Sequence, residues 1–391
     1  MAIVKMIDIC EKIGSGATPR GGKEAYCDEG ISLVRSQNVL DFAFSRDGLA
    51  HINDEQAQKL NNVEVHEGDV LLNITGDSVA RACMMDSVFL PARVNQHVAI
   101  VRGKENKVIN SFILYFLQWR KGYLLQLASA GATRNALTKG MIEQLEINLP
   151  SMNEQKKIVA ILDSIQQKIQ LNQKINDNLQ QQALAIFQQE LLRDGEVPEG
   201  WSNGSLLDIA NYLNGLAMQK FRPADGENGL PVLKIKELRQ GSCDASSELC
   251  SPSIKPEYIV HDGDVIFSWS GSLLVDLWCG GTCGLNQHLF KVTSEKYPKW
   301  FYYAWTAHHL ARFVAIAADK ATTMGHIKRE ELAKAEVVIP DAASMERIGG
   351  ILQPMYDLII SNRIENRKLA ALRDTILPQL MSGELDVGDL T

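Results

Sequence analysis

Two stretches of this chain carry the same pattern in the same order. His66-Glu67-Gly68-Asp69-Val70-Leu71-Leu72, followed by Thr75-Gly76, returns as His261-Asp262-Gly263-Asp264-Val265-Ile266-Phe267, followed by Ser270-Gly271. Asn95-Gln96-His97-Val98 returns as Asn286-Gln287-His288-Leu289. Glu146-Ile147-Asn148-Leu149-Pro150 returns 190 residues later as Glu336-Val337-Val338-Ile339-Pro340. A period this long is that of a duplicated domain, far above the repeat units of solenoids. A single globule built around one active site is not expected to read this way.

Each copy ends in an amphipathic helix. Ser151 with Glu154 three residues later forms a capping box directly after Pro150. From there Ile158, Leu162, Ile165, Ile169, Asn172, Asn176, Leu179, Ala183 and Ile186 alternate at spacings of four and three, the seam of a coiled coil. The second helix repeats it with Ile348, Leu352, Met355, Ile359, Asn362, Asn366, Leu369 and Ile376, but has Arg373 in place of Ala183 and Pro354 in place of Ser164. Proline inside a helix removes a hydrogen bond, so the second helix is expected to kink or start late. Paired asparagines in the seam fix register, and an antiparallel pair centred on Asn172 is expected to bring it beside Asn362.

Residues 1–150 mix short β-rich runs (31–34, 69–74, 98–101) with a helical stretch over 111–128, a mixed α/β pattern. The expected organisation is one domain over 1–150, a helical spacer over 151–195, a second domain over 196–340 and a second helical spacer over 341–391. The boundary between the halves falls in Arg193-Asp194-Gly195-Glu196-Val197-Pro198-Glu199-Gly200-Trp201, which is charged and punctuated by Gly and Pro. The fold class read here is mixed α/β, with two similar α/β domains separated by two long helices that form an antiparallel coiled coil. As helix, Ser151 to Leu192 spans roughly 63 Å, enough to set apart two sites one to two turns of duplex DNA from each other, at ~34 Å per turn.

With 391 residues, 45% of them apolar, the chain has material for two cores. The best apolar run, Phe112 to Trp119, falls well short of the roughly 20 residues that span a bilayer, so no membrane association is expected. The start shows no signal-peptide pattern, and seven scattered cysteines read as reduced thiols. Together these point to the cytoplasm. Cys243, Cys250, Cys279 and Cys283 lack the paired spacing of a zinc site, and no metal is expected.

The balance of 40 basic to 47 acidic residues, net −7, is not that of a free-standing nucleic-acid binder. Local clusters still offer contacts. Lys12, Thr18, Arg20 and Lys23 frame a Gly-rich loop, Gly14 to Gly22, whose amides suit phosphate. Arg35, Gln37 and Asn38 carry groups suited to guanine and adenine edges. Arg81, Arg134, Asn135 and Lys139 add to the set. The second domain offers Lys220, Arg222, Lys234, Lys236, Arg239, Lys328 and Arg329. The His-acid-Gly-Asp repeats read as turns entering apolar strands, and His97 and His288 as structural residues.

Gly14-Ser15-Gly16-Ala17-Thr18-Pro19, Val34-Arg35-Ser36-Gln37-Asn38-Val39, Gly68-Asp69-Val70-Leu71, Asn95-Gln96-His97 and Pro150 followed by Glu154-Gln155 resemble the specificity subunit of type I restriction–modification enzymes. The resemblance covers nearly the whole chain. It implies a non-catalytic subunit whose two target-recognition domains each read half of a bipartite double-stranded DNA sequence. It also implies an antiparallel coiled coil that sets the spacing and docks two modification subunits. By the same resemblance, S-adenosylmethionine, ATP and Mg²⁺ serve the modification and restriction (motor-nuclease) subunits, and this chain binds no cofactor. The second domain departs from the pattern, with Gly215-Leu216-Ala217-Met218 for the Gly-Ala-Thr-Pro stretch and Lys234-Ile235-Lys236-Glu237-Leu238 for Arg35 to Val39.

Motifs of phosphate loops, zinc hydrolases and serine hydrolases are absent. A competing reading is a stand-alone Mg²⁺-dependent nuclease using Asp86 with Glu105-Asn106-Lys107. A third is a protein scaffold with no DNA role.

Overall fold

The computed structural model describes residues 2–19, 21–129, 135–192, 197–319 and 327–385. The chain divides into two units, residues 1–167 with 369–391, and residues 168–368.

In the first unit, strand β1 (Ala2–Lys5) pairs antiparallel with β10 (Glu146–Leu149). A four-stranded sheet has the order β2-β9-β6-β7, built from β2 (Cys10–Ser15), β6 (Val70–Asn73), β7 (Ala82–Met84) and β9 (Val98–Gly103). A second sheet has the order β4-β3-β8-β5, from β3 (Ile31–Val34), β4 (Ala50–Ile52), β5 (Glu64–Val65) and β8 (Ala92–Val94). Alternation along β6 explains how the layers stack, because successive side chains point to opposite faces. Val70 and Leu72 join Phe112 and Phe116 of the helix Asn110–Trp119 in one core. Leu71 and Ile100 join Leu33 and Val94 of the smaller sheet in another. A strand buried on both faces reads as a continuous apolar run, which is how Val70-Leu71-Leu72 reads. The helical stretch expected over 111–128 is two helices, Asn110–Trp119 and Lys121–Ser129, interrupted at Arg120.

The turn into β6 follows from two residues. Gly68 has φ +75, open to glycine without strain. The buried Asp69 carboxylate accepts from the His66 N–H at 2.7 Å and is gripped by Arg102 at 2.6 Å through both oxygens.

The second unit repeats the plan. Strand β11 (Ser202–Ser205) pairs with β20 (Glu336–Ile339), and β12 (Asn211–Asn214), β16 (Val265–Ser268), β17 (Leu274–Leu277) and β19 (Leu289–Thr293) form the sheet β12-β19-β16-β17. The smaller sheet is β14-β13-β18-β15, from β13 (Leu230–Leu233), β14 (Leu249–Cys250), β15 (Ile259–Val260) and β18 (Cys283–Leu285). Val265 and Phe267 face Phe301 and Trp305 of the helix Lys299–His308, while Ile266 faces Leu233 and Leu285. Gly263, at φ +87, and Asp264, bonded to the His261 N–H at 2.8 Å and to Lys291 at 2.8 Å, rebuild the turn.

The central helix runs Met152–Leu191 and the C-terminal helix Ala342–Ser382. The expected capping box is present: Ser151 N–H donates to Glu154 Oε2 at 2.8 Å, and Glu154 N–H donates to Ser151 Oγ at 3.4 Å. In the first unit Ile158 and Leu162 pack with Leu377, Leu380 and Met381, and Arg373 Nη1 donates to Gln166 Oε1 at 2.9 Å. In the second unit Phe187 and Leu191 pack with Ile348, Leu352 and Ile359, and Arg347 makes a two-bonded pair with Glu190 at 3.1 and 2.8 Å. Later residues of one helix meet earlier residues of the other, so the segments paired in each unit are antiparallel.

Three expectations are corrected. Asn172 pairs with Asn366 at 2.8 Å, and it is Asn176 that receives the Asn362 amide at 2.9 Å, a register one helical turn from the expected one. The C-terminal helix does not start late but runs through Pro354: that residue is exposed, and Gly350, whose carbonyl loses its partner there, stands in open space. At the far ends of the seam Phe187 and Leu377 are buried where Ile186 and Ile376 are half-buried, because 3.6 residues per turn drifts away from a strict heptad.

Candidate nucleic-acid interface

In the first unit, five loops distant in sequence are laced into one edge. The Gly16 N–H donates to the Asn95 carbonyl at 3.1 Å, and Thr18 Oγ1 donates to Gln96 Oε1. Gln96 Nε2 lies 3.0 Å from His97 Nε2, and His97 Nδ1 lies 2.5 Å from Thr75 Oγ1. A glutamine N–H facing Nε2 leaves the imidazole proton on Nδ1, directed at the threonine hydroxyl. The Gly76 N–H then donates to the Asn135 carbonyl at 3.2 Å, and Asn73 Nδ2 ties Ser78 Oγ to the Ser36 carbonyl at 3.1 and 2.8 Å. The glycine at 16 has a steric cause: a Cβ there would meet the Val94 carbonyl oxygen at 1.6 Å.

The second unit holds the same relay with one conservative change. Gln287 Nε2 lies 3.3 Å from His288 Nε2, and His288 Nδ1 lies 3.1 Å from Ser270 Oγ. Asn286 Oδ1 accepts from the His288 N–H at 3.2 Å, as Asn95 Oδ1 does from His97 at 2.9 Å. Gly215 is pressed on the Asn286 carbonyl, where a Cβ would approach to 2.2 Å. The neighbour differs: Trp269 Nε1 donates to Asn214 Oδ1 at 2.9 Å beside the histidine.

A family model described as the type I restriction modification DNA specificity domain matches residues 1–181 and again 198–372. The chain belongs to this family. The MjaIX specificity subunit of Methanocaldococcus jannaschii is 24% identical over 99% of this chain and 94% of its own length. The HindI specificity subunit of Haemophilus influenzae is 19% identical over 91% and 94%. The S subunit of a type I restriction-modification system from M. genitalium shares the fold, with a TM-score of 0.57 at 12% identity over 97% of this chain and 96% of that one. The two family matches coincide with the duplication, and the DNA-specificity family is one of non-catalytic subunits.

Within this specificity chain, the candidate contact residues divide by what already holds them. Arg35 and the exposed Gln37 both donate to the Gly48 carbonyl, so they brace the loop over 45–48. Asn38 is a correction: it is 0% exposed, accepts from the Arg35 N–H at 3.0 Å and donates to the Ser45 and Asp47 carbonyls, which leaves no group to offer a base. Lys12 donates to the Asn62 carbonyl, and Lys139 sits 3.5 Å from Glu143. Arg81 is half-buried near the laced edge and Asn135 is exposed on it. Arg20, Arg134 and the Lys23 side chain lie outside the described residues.

In the second unit the basic cluster is largely neutralised. Arg222 and Lys234 share Glu248, whose carboxyl they hold below the usual range, the Lys234 hydrogen bond being the main cause. Lys236 lies 3.6 Å from Asp244 and bonds Ser246 Oγ at 2.8 Å. Arg239 reaches Ser272 Oγ at 3.3 Å, while Lys220, Lys328 and Arg329 are exposed. Gln96, Gln287, Thr75 and Ser270 join the candidate set through these relays, and the repeated Asn-Gln-His triplet is the sequence signal that marks them.

Asp86 caps a short turn, accepting from the Val88 N–H at 3.0 Å. Among the described residues no group of three His, Cys, Asp or Glu side chains is gathered as a metal site, and no helix is long and apolar enough to cross a membrane. Cys279 falls just beyond β17, while Cys83 lies within β7.

Proposed function

We propose that this chain is the DNA-reading subunit of a type I modification and restriction assembly, with a target-recognition domain at 1–150 and another at 196–340. Each domain reads one half of a split duplex target through its laced loop edge. The helical segments 151–195 and 341–391 set the spacing between the half-sites and dock two modification subunits. S-adenosylmethionine, ATP and Mg²⁺ act in those modification subunits and in the restriction subunits, and the assembly works in the cytoplasm.

The observation that carries this reading is the relay from Thr75 or Ser270 through histidine to a surface glutamine, kept in both domains while the side chains around it differ. A shared scaffold with unlike neighbours suits two domains that engage the same kind of polymer at different sequences. With no basic segment in the chain, affinity comes from partner subunits together with local contacts.

The test is a genome-wide map of adenine methylation in cells expressing the chain with its modification subunit, against cells lacking the chain. A split motif present only in the first supports the reading; identical maps refute it.

A further inference from the structure

The four cysteines of the second unit do not gather in one place. Cys279 Sγ donates to the Leu277 carbonyl at 3.5 Å, and Cys250 belongs to the small core of Met218, Val232 and Ile254. Cys243 and Cys283, forty residues apart in sequence, are brought together. The helix Ile235–Gln240 ends on Gly241 at φ +74, whose N–H donates to the Glu237 carbonyl at 2.8 Å. The turn leading into β18 passes against that end: a Cβ on Gly280 would stand 3.0 Å from the Gly241 carbonyl oxygen. Just beyond these two glycines, the half-buried Cys243 packs on the cluster that holds Leu238, Trp278 and the buried Cys283. The Cys283 thiol donates a hydrogen bond to the Cys243 sulfur.

The two thiols are unlike. The bond from Cys283, helped by Ser247, holds Cys243 below the usual thiol range against partial burial and the nearby Glu237 and Asp244 carboxylates. The donated bond and then burial push Cys283 up. Oxidants attack the thiolate, so the accessible member of the pair is also the reactive one, and the buried member is placed to resolve it. The first unit lacks the pair: Ala92 stands opposite Val65 where Cys283 stands opposite Val260.

We infer that Cys243 and Cys283 form a reversible oxidation site, at which hydrogen peroxide converts the two neighbouring thiols to an intramolecular disulfide. The Cys243 sulfur attacks one peroxide oxygen and the O–O bond breaks. Cys243 becomes a sulfenic acid, and the other oxygen leaves as water with the thiol proton. The Cys283 sulfur then attacks the Cys243 sulfur, the S–S bond forms as the S–O bond breaks, and the hydroxide leaves with the Cys283 proton as a second water. Two thiols are oxidised and one peroxide is reduced to two waters. Free thiols of a reducing compartment reverse the bond by exchange. The bond ties the loop over 241–248 to β18. Asp244 and Glu248 of that loop hold Lys236 and Lys234, and β18 leads into Asn286-Gln287-His288, so the tether joins the basic cluster to the histidine relay.

The test exposes the reduced full chain to hydrogen peroxide, alkylates the remaining thiols in urea, and maps the unreduced digest by mass spectrometry. A peptide pair joined through Cys243 and Cys283 is expected, lighter by two hydrogens than its parts and separated by dithiothreitol. In a Cys283→Ala chain Cys243 should stop at the sulfenic acid, which dimedone captures. In a Cys243→Ser chain, altered at a half-buried position that accepts a hydroxyl, Cys283 should stay reduced. The exposed Cys27 serves as the internal reference. Oxidation of Cys27 while Cys243 and Cys283 remain alkylated overturns the proposal, as does sulfenic acid that collects on wild-type Cys243 without joining Cys283. A disulfide between the Cys243 residues of two chains overturns it as well.

Discussion

Asn172 donates its side-chain amide to Asn366 Oδ1 at 2.8 Å and to Glu365 Oε2 at 2.7 Å, inside a seam whose neighbours are Ile169 and Ile359. Asn366 in turn donates to the Ile169 carbonyl at 3.2 Å. Each amide nitrogen donates to the opposite helix, from the buried Asn172 and the half-buried Asn366, so the polar pair favours one register and penalises slippage by a turn.

Replacing Asn172 with Leu removes the partner of the half-buried Asn366 carbonyl oxygen and should cost about 1 kcal/mol. The Asn172→Leu, Asn366→Leu double variant should recover much of that loss, because removing both partners leaves no orphaned group. Urea unfolding of the two single variants and the double gives the coupling directly; strict additivity would mean that the pair does not interact.

The two glutamines should act on separate halves of the target. Gln287→Ala should relax base choice in one half of the methylated motif and leave the other half as in wild type, and Gln96→Ala should do the converse. Methylation mapping reads both. A melting temperature unchanged in each variant separates this outcome from simple unfolding.

Two glycines should answer to alanine in opposite ways. At Gly16 the added Cβ meets the Val94 carbonyl oxygen at 1.6 Å, so Gly16→Ala should unfold or grossly destabilise the first unit. At Gly350 nothing lies within 4 Å and the residue is inside a helix, so Gly350→Ala should stabilise by roughly 0.5–1 kcal/mol. Thermal unfolding of both variants checks the pair.

Acid should weaken the second unit through Asp262. Arg367 bonds both its oxygens, at 2.8 and 2.7 Å, and holds the carboxyl below the usual range against the opposing effect of partial burial. A carboxylate with a depressed folded pKa contributes stability above its unfolded value, about 3.9, and loses it as pH falls through the folded value. Wild type should therefore lose more stability than Asp262→Asn on acidification below about pH 4. Equal slopes of melting temperature against pH would show that the pair contributes nothing.

The sequence by itself determined the duplication, the mixed α/β character of each copy, the Gly-Asp turns that open β6 and β16, the capping box at Ser151 and the apolar stripes of the two long helices. All of these are local: they depend on residue spacing, on turn chemistry or on side-chain hydrogen bonds over three residues. Register and partnership were decided only by the tertiary structure. Both asparagine pairs were visible in the stripe, yet which amide meets which depends on where two segments far apart in sequence come to rest. Asn38 reads as a base-contacting residue in Arg35-Ser36-Gln37-Asn38, and it is buried because the loop over 45–48 folds back upon it. The basic run Lys234 to Arg239 looks like a patch until Glu248 and Asp244 arrive from later in the chain to neutralise it. Spacing along a chain specifies what a residue is able to do, whereas burial and pairing, which need distant segments to meet, decide which of its groups are already taken.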